Sequence, residues 1–406
     1  MEGADTVGLV EQEQVVVVGA GAAGLAAAAM LKRRGVDPLV VERTRRVASS
    51  WRSRYDSLRL NTPRLTSTLA GYRIPRRYGR WPVRDDVVEY LEEYARRHEL
   101  RIRFKTELSR VERSEGAGGA NERSEARDPR WLLETSNGHI AARFAVLATG
   151  HDAEPKLPDW PGQKGFTGEL IHSAAYKNPE PFTGKDVLVV SARNTGSEVA
   201  YELATDGGCR VWTSMRTPPS VFPREWPPGF PLNYSTQLLE RCPDPVFDQV
   251  AFLVQRLIYG NLAKHGIPRA PLGVQTATKK RHASTLVDAG FIRALKDGKL
   301  TLVPAVERFD GPDVVLTDGS RLQPQVVIAA TGYHRNLPRI VGHLGVLDEH
   351  GVPVLDGTPI RAREHPSARG LFFNGLYTSA AGQLGFMRID GRRIARAITE
   401  QLAPGN

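Results

Sequence analysis

Three glycines near the N-terminus are spaced to bind a dinucleotide. Gly19, Gly21 and Gly24 form the pattern GxGxxG between the apolar run of residues 15–18 and a run of strong helix formers. The first glycine permits a tight turn, the second lets the backbone approach a pyrophosphate, and the third lets the helix pack on the strand. The amides at the start of the helix then attract the phosphates.

A carboxylate stands where the ribose of such a ligand would lie. Residues 39–41 form the next apolar run, which closes at Glu42. A carboxylate accepts hydrogen bonds from ribose hydroxyls and repels a 2′-phosphate, so an unphosphorylated ribose is favoured, as in FAD. Residues 14–43 are therefore predicted to form a strand, a glycine turn, a helix and a second strand.

The same order of elements returns at residues 186–216 around a turn that reads SARNTG. Gly196 keeps the third glycine position, whereas Ser191 and Arg193 stand where the first two glycines would be. Ser191 adds a side chain where the turn is tight, and Arg193 adds a long one where the backbone should face pyrophosphate. The residues alone leave the binding of a second nucleotide open.

The composition indicates a globular enzyme. The 406 residues are 41% hydrophobic and 25% charged, and the chain is long enough for two or three domains. The first residues are acidic and lack an apolar run, so no signal peptide is expected. Cys209 and Cys242 have neither metal-site nor dithiol spacing. We expect a cytoplasmic protein without a metal site.

The net charge of +10 raises the question of a nucleic-acid partner. The arginines are scattered, and no zinc-finger or RNP-type motif accompanies them. We therefore expect no specific nucleic-acid partner, and the charge is interpreted as a solvated surface that weakly attracts anionic ligands.

Residues 217–290 are irregular and rich in proline, with one amphipathic helix at residues 247–264. Polar residues interrupt this helix too often for a membrane span, so no transmembrane segment is predicted. A core or lid helix is favoured, and attachment to a membrane interface is the alternative. The predicted apolar face consists of Phe247, Val250, Ala251, Val254, Leu257, Ile258 and Leu262.

Two other segments have readable patterns. Residues 84–99 run from acidic to basic, which suits a helix, and residues 113–130 lack periodicity, which predicts a flexible loop between two strands. Two buried strands are also predicted, each followed directly by an Ala-Thr-Gly turn. The first turn ends at Gly150 and the second at Gly332.

Several longer motifs are more specific. FTGELIHSAAY contains FxGxxxHxxxY through Phe166, Gly168, His172 and Tyr176. Four further segments accompany it, namely WRSRYDSLRLNTPR (51–64), LIYGNLAKHGIPRAPLG (257–273), AATGYHRN (329–336) and LGFMRIDGRRIA (384–395). Over nearly its whole length the chain thus resembles the class B flavin-containing monooxygenases, in particular their YUCCA-like branch and its bacterial relatives.

The resemblance implies an α/β fold of two dinucleotide-binding, Rossmann-like domains, with the NADP domain inserted into the FAD domain. The FAD domain is expected at residues 1–155 and 325–406. The NADPH domain is expected at residues 156–324, with a substrate-side helical insertion at about 217–290. The implied reaction is reduction of FAD by NADPH, addition of O2 to give a flavin C4a-hydroperoxide, and transfer of one oxygen atom to a small organic substrate.

The resemblance also implies roles for single residues. Asn61 matches a position that in several family members places an amide near the flavin C4a, which makes it the candidate catalytic residue; a plain turn asparagine is the alternative. His172 and Tyr176 are expected to brace the loop between the nucleotide sites. The expected cofactor-binding residues are Gly19, Gly21, Gly24, Glu42, Arg43, Trp51, Arg52, Thr149, Gly150, Arg193, Asn194, Thr195, Gly196, Arg216, Thr331, Gly332, Gln383 and Leu384.

The family's second turn normally reads GxGxSG, so SARNTG departs from it. Asn194, Thr195 and Glu198 keep the rest of the motif, and Arg216 stands where family members hold the 2′-phosphate of NADP. Arg193 either pairs with a phosphate or fills a vacant site. We expect NADPH to bind weakly or in an altered pose.

Two other functions remain open at this point. One is an FAD enzyme that uses another reductant or performs redox-neutral chemistry, and the other is a flavin redox sensor without turnover. The YUCCA-like segments favour a 2-oxo acid substrate, with amines, thioethers and ketones as alternatives. A homodimer is left open.

Overall fold

The computed structural model describes residues 10–114, 130–239, 242–281, 285–356, 358–376 and 382–403. Most of the predicted loop at residues 113–130 therefore lies outside the described residues. The strands are β1 (Glu11–Val18), β2 (Leu39–Val41), β3 (Arg101–Arg103), β4 (Leu108–Arg113), β5 (Trp131–Thr135), β6 (Gly138–Leu147), β7 (Glu154–Pro155), β8 (Glu169–His172), β9 (Asp186–Val190), β10 (Arg210–Ser214), β11 (Val221–Pro223), β12 (Leu286–Asp288), β13 (Leu300–Val303), β14 (Val306–Asp310), β15 (Asp313–Leu316), β16 (Arg321–Leu322), β17 (Val326–Ala329), β18 (Tyr333–His334), β19 (Val354–Leu355), β20 (Thr358–Pro359) and β21 (Leu371–Phe373).

The α-helices that accompany them are α1 (Ala22–Lys32), α2 (Ser49–Arg52), α3 (Arg64–Ser67), α4 (Arg84–Arg97), α5 (Asn194–Thr205), α6 (Asn233–Leu239), α7 (Asp244–Tyr259), α8 (Val274–Arg281), α9 (Phe291–Lys296), α10 (Leu337–Val341) and α11 (Gln383–Leu402). The helix predicted at residues 84–99 is α4, and the final helix is α11.

The first sheet is built around the strand that leads into the first glycine turn. β1 pairs in parallel with β2 on one side and with β6 on the other, and β3 extends the sheet beyond β2. The second half of β6 pairs in parallel with β21, whereas its first half begins an antiparallel meander with β5 and β4. The run of buried valines in β1 explains its central position, because both faces of this strand are covered.

The second sheet repeats this arrangement. Its strands lie in the order β13-β10-β9-β17-β8 and are all parallel. β9, α5 and β10 take the places of β1, α1 and β2. After this sheet the chain returns to the first one through β21, so the second unit is inserted into the first. The predicted fold class is confirmed.

The chain crosses between the two units through a short antiparallel ribbon. Tyr333 pairs with Pro155 and His334 pairs with Glu154, so the outgoing and returning segments lie side by side. The predicted return at residue 325 is too early, because β17 hydrogen-bonds to β9 and β8 inside the second sheet. The chain changes units after Ala329, at the ATG turn itself.

Helices α1 and α11 pack closely on one face of the first sheet. A Cβ added to Gly391 in α11 would lie 3.0 Å from the backbone of Ala26 in α1. The alanines at this end of α1 are fully buried and present little side-chain bulk, which permits the close approach. The first glycine turn is thereby held between the sheet and two helices.

The predicted amphipathic helix is α7, and one part of its predicted face is wrong. Phe247 and Ala251 are buried and pack with Val274 of α8. Leu257 is 70% exposed, because α7 makes its buried contacts through its first two turns. Leu262 is buried but lies beyond Gly260, where α7 has ended. Among the described residues, no helix is long and apolar enough to cross a membrane.

Candidate active site

The parallel strands of the two sheets direct their carboxyl ends toward one cleft, which is where ligands bind in open α/β sheets. The cleft contains a cavity of about 1080 Å³, and both glycine turns and both ATG turns line it. The predicted cofactor-binding residues in its wall are Gly19, Gly21, Glu42, Arg43, Trp51, Thr149, Gly150, Arg193, Asn194, Thr195, Arg216, Thr331, Gly332, Gln383 and Leu384.

The first turn has the geometry that its glycines predict. Gly19 has a φ of +106°, which glycine adopts without strain. A Cβ at Gly24 would lie 1.8 Å from the carbonyl oxygen of Gly19, so the third position has no room for a side chain. A Cβ at Gly21 would meet no protein atom within 4 Å, because this residue faces the cavity. The turn therefore fits a pyrophosphate at the start of α1.

The carboxylate of Glu42 is buried and held in place by several donors. Its Oε2 atom accepts from the Ala20 amide at 2.8 Å. Its Oε1 atom accepts from the Thr44 amide at 3.0 Å and the Thr44 hydroxyl at 2.8 Å, with the Ser49 hydroxyl at 3.4 Å. Because an ionised carboxylate has about four acceptor positions, Oε2 keeps the capacity to bind a ribose hydroxyl.

The second turn keeps the backbone shape of the first despite its different sequence. Ser191 has a φ of +113°, close to the +106° of Gly19. Arg193 has φ −88° and ψ −177°, against −85° and −177° for Gly21. A Cβ at Gly196 would lie 1.8 Å from the Ser191 carbonyl oxygen, the same distance as in the first turn. At these three positions the backbone conformation is shared, and the first two positions differ in their side chains.

The side chain of Arg193 lines the cavity at the position where Gly21 leaves the first turn open. Desolvation against the cavity wall, and to a smaller extent the charge of Arg216, lower the pKa of Arg193. Two guanidinium groups that repel each other favour an anion between them. The Ser191 hydroxyl accepts from the Arg193 amide at 3.3 Å, so it engages one donor at the start of α5.

Both ATG turns leave room for a ligand. Gly150 has a φ of +78° and Gly332 a φ of +86°, and a Cβ at either would meet no protein atom within 4 Å. The Thr149 hydroxyl is buried without a hydrogen-bond partner in the part of the chain that the structure describes. A buried hydroxyl needs a partner, so Thr149 fits a polar group of a bound nucleotide.

The FxGxxxHxxxY segment braces the second unit and the returning ATG turn. Nδ1 of His172 accepts from the Ala174 amide at 3.1 Å, so Nε2 carries the proton and donates to the Gly332 carbonyl at 2.9 Å. Burial lowers the pKa of His172, which keeps the ring neutral. Tyr176 is fully buried and donates to Glu202 at 2.8 Å.

Asn61 lies behind the cavity wall rather than in it. Its Nδ2 atom donates to Oε1 of Glu198 at 3.1 Å, and the Tyr55 hydroxyl donates to the other carboxyl oxygen. Tyr55 itself lines the cavity. Neither the role of Tyr55 nor the contact of Glu198 with Asn61 was predicted from the sequence, where Glu198 stands only as part of the second-turn motif. The available signal was a pair of acidic residues one helical turn apart in a helix that packs into the core.

Three other predicted residues also lie outside the wall. Gly24 and Gly196 lie beneath their turns, where they make room for close packing. Arg52 donates to the Val47 carbonyl at 3.2 Å and pairs with Glu92 of α4, so its guanidinium is engaged on the α4 side.

One Rossmann-like unit inserted into another, with two glycine turns on a shared cleft, defines a two-nucleotide oxidoreductase of the flavoprotein type. The family model described as "Flavin-binding monooxygenase-like" matches residues 12–351. The chain belongs to this family. It is a flavin-dependent monooxygenase.

Individual proteins that are similar to this chain also support its membership of the family. Indole-3-pyruvate monooxygenase YUCCA1 from Oryza sativa subsp. japonica is 34% identical over 325 residues, which cover 80% of this chain and 77% of that protein. The flavin-containing monooxygenase from Stenotrophomonas maltophilia has a TM-score of 0.68 at 22% identity, over 96% of this chain and 99% of that one. NADP+-bound cyclohexanone monooxygenase from Rhodococcus sp. Phi1 has a TM-score of 0.71 at 19% identity, over 96% and 85%. At these identities the two structures support the fold alone.

Proposed function

We propose that the protein uses NADPH to reduce its FAD and inserts one oxygen atom of O2 into a small organic substrate, with the other oxygen leaving as water. The observation that carries the proposal is the backbone of the second turn. The φ of Ser191 and both dihedral angles of Arg193 match those of Gly19 and Gly21 within about 10°. A nucleotide site therefore faces the cleft from each sheet.

The protein's part in this reaction is to bind, orient and exclude water. The first turn, Glu42 and Thr149 would hold FAD, and Arg216 would hold the 2′-phosphate of NADPH. The bound flavin supplies electron transfer and oxygen activation. Arg54 donates to the Tyr333 hydroxyl at 2.7 Å and pairs with Asp152, which ties the wall of the first unit to the crossing ribbon.

The substrate class we propose is an aryl 2-oxo acid. The support is the name of the rice relative, an indole-3-pyruvate monooxygenase that aligns with 80% of this chain. The carbonyl carbon of a 2-oxo acid is electrophilic, so it can accept an oxygen atom from a nucleophilic donor. Amines, thioethers and simple ketones are the competing substrates to be compared with it.

A second candidate function is an FAD enzyme whose nicotinamide site has changed its purpose. Arg193 favours it, because this side chain stands on the face that Gly21 leaves open in the first turn. Such a protein would bind FAD firmly but would need another reductant or would catalyse a redox-neutral reaction.

Anaerobic stopped-flow absorbance separates these functions. The FAD-loaded protein is mixed with NADPH and, separately, with NADH. Rapid bleaching of the oxidised flavin band by NADPH is expected, followed in air by consumption of O2 and NADPH in equal amounts when an aryl 2-oxo acid is present. Absence of bleaching by either nucleotide would contradict the proposal and favour the second candidate.

A further inference from the structure

We infer that Glu198 is a positioning residue that holds the Asn61 carboxamide with its carbonyl oxygen toward a bound ligand. The contact joins the two units, because Asn61 follows the flavin-side segment of the first unit and Glu198 lies on α5 of the second. Nδ2 of Asn61 donates to Oε1 of Glu198 at 3.1 Å. The Tyr55 hydroxyl holds the opposite carboxyl oxygen of Glu198.

The contact with Glu198 determines which end of the Asn61 amide is available to a ligand. The Oε1 atom of Glu198 acts as an acceptor, so it selects the nitrogen of Asn61 and turns the oxygen away. Oδ1 of Asn61 is buried and has no hydrogen-bond partner among the described residues. An unsatisfied buried acceptor is costly, so Oδ1 is suited to accept an N–H or O–H from a ligand.

The residues around Asn61 reach the cavity, although Asn61 itself lies behind the cavity wall. Tyr55 lines the cavity from the side of α5. The next residue, Thr62, packs on Gly382, where an added Cβ would lie 2.6 Å from the Thr62 methyl carbon. Gln383, which follows directly, also lines the cavity. The carboxamide therefore stands between Glu198 of α5 and the start of α11.

Glu198 is suited to this role because the Tyr55 hydroxyl also holds its second carboxyl oxygen. Burial raises the pKa of Glu198, while Tyr55, Asn61 and Arg224 act in the opposite direction and Glu202 adds to the rise. A side-chain amide at position 198 would keep an acceptor for Asn61 and a polar group for Tyr55. Glu198→Gln is therefore the conservative replacement.

The chain provides a matched control one helical turn further along α5. Glu202 is also buried, its pKa is also raised chiefly by burial, and it also accepts from a tyrosine, Tyr176 at 2.8 Å. It makes no described contact with Asn61. Substitution of Glu202 therefore reports the cost of removing a buried carboxyl from α5 without disturbing the carboxamide.

The test compares Asn61→Ala, Glu198→Ala, Glu198→Gln, Glu202→Ala and the double variant of Asn61 and Glu198. Two quantities are measured: the absorption spectrum of the bound oxidised flavin, and the fraction of oxidised NADPH recovered as hydrogen peroxide. We expect Glu198→Ala to reproduce both changes caused by Asn61→Ala, with a several-fold rise in peroxide. Glu198→Gln should stay close to the parent protein, and the double variant should be no worse than Asn61→Ala.

The inference fails if Glu198→Ala behaves like Glu202→Ala, if its effect adds fully to that of Asn61→Ala, or if Asn61→Ala changes neither quantity. If Glu198→Ala does not fold, Glu198→Asp replaces it in the test. Its side chain is shorter, so its carboxyl group lies farther from Asn61. The inference rests on the proposed function, yet the two fail separately. A parent protein that does not oxidise NADPH contradicts the function, whereas the flavin spectra still decide the role of Glu198.

Discussion

Ser191 holds nearly the same backbone conformation as Gly19, its counterpart in the first turn, with φ values of +113° and +106°. A serine in this region is strained by about 1–3 kcal/mol, whereas glycine is not. After allowance for the extra freedom of glycine in the unfolded chain, Ser191→Gly should raise the free energy of unfolding by about 1 kcal/mol. Urea denaturation of the FAD-loaded protein measures this change.

Ala192 provides the control for this substitution, because it is buried in the same turn without a positive φ. Ala192→Gly should lower the free energy of unfolding. A Ser191→Gly variant that is no more stable than the parent protein would mean that the turn stores no strain.

Arg193 should limit the use of NADPH. Replacement by glycine restores the open face of the first turn and removes the repulsion between Arg193 and Arg216. We expect Arg193→Gly to lower the apparent KM for NADPH several-fold, as measured by initial rates of flavin reduction. An increase in KM would instead indicate that Arg193 pairs with a phosphate of the nucleotide. Arg293→Ala, an exposed change on α9, is the control for loss of one positive charge.

Substitutions at two glycines of the first turn should have different effects, one on FAD binding and the other on folding. Gly21→Ala adds a Cβ that meets no protein atom within 4 Å, so the apoprotein should fold normally and bind FAD at least tenfold more weakly. Gly24→Ala places a Cβ 1.8 Å from the Gly19 carbonyl and should destabilise the fold itself. Thermal unfolding of the apoproteins and flavin titration distinguish the two effects. Equal loss of stability in both variants would contradict this assignment.

His172 should make stability depend on pH. Burial lowers its pKa in the folded protein below the ordinary value of 6.5, so the unfolded chain binds the proton more readily. This contribution to stability is therefore complete above about pH 6.5 and is lost as the pH falls through that value toward the lower folded pKa. The Tm difference between about pH 7.5 and about pH 5.5 should be smaller in His172→Gln than in the parent protein. His139→Gln, a change at an exposed histidine on β6, should leave the difference unchanged.

The nucleotide turns were predictable because their requirements are local. A glycine with positive φ, an apolar run before it and a carboxylate at the end of the next strand are encoded within about 30 residues of each other. The second unit repeats the order of strand, turn, helix and strand, and of the three glycines it keeps only Gly196. Both units of the fold and the turns that line the cavity therefore follow from the amino-acid sequence.

Only the tertiary structure decided which side chains meet across the two units. Asn61 and Glu198 are 137 residues apart, and their contact depends on how the segment after β2 is placed against α5. The engagement of Arg52 with Glu92 and the exposure of Leu257 likewise depend on neighbours that are remote in sequence. Local sequence patterns reflect the backbone conformation that each turn requires. Contacts between distant segments are set by the packing of one unit on the other, which no short stretch of sequence contains.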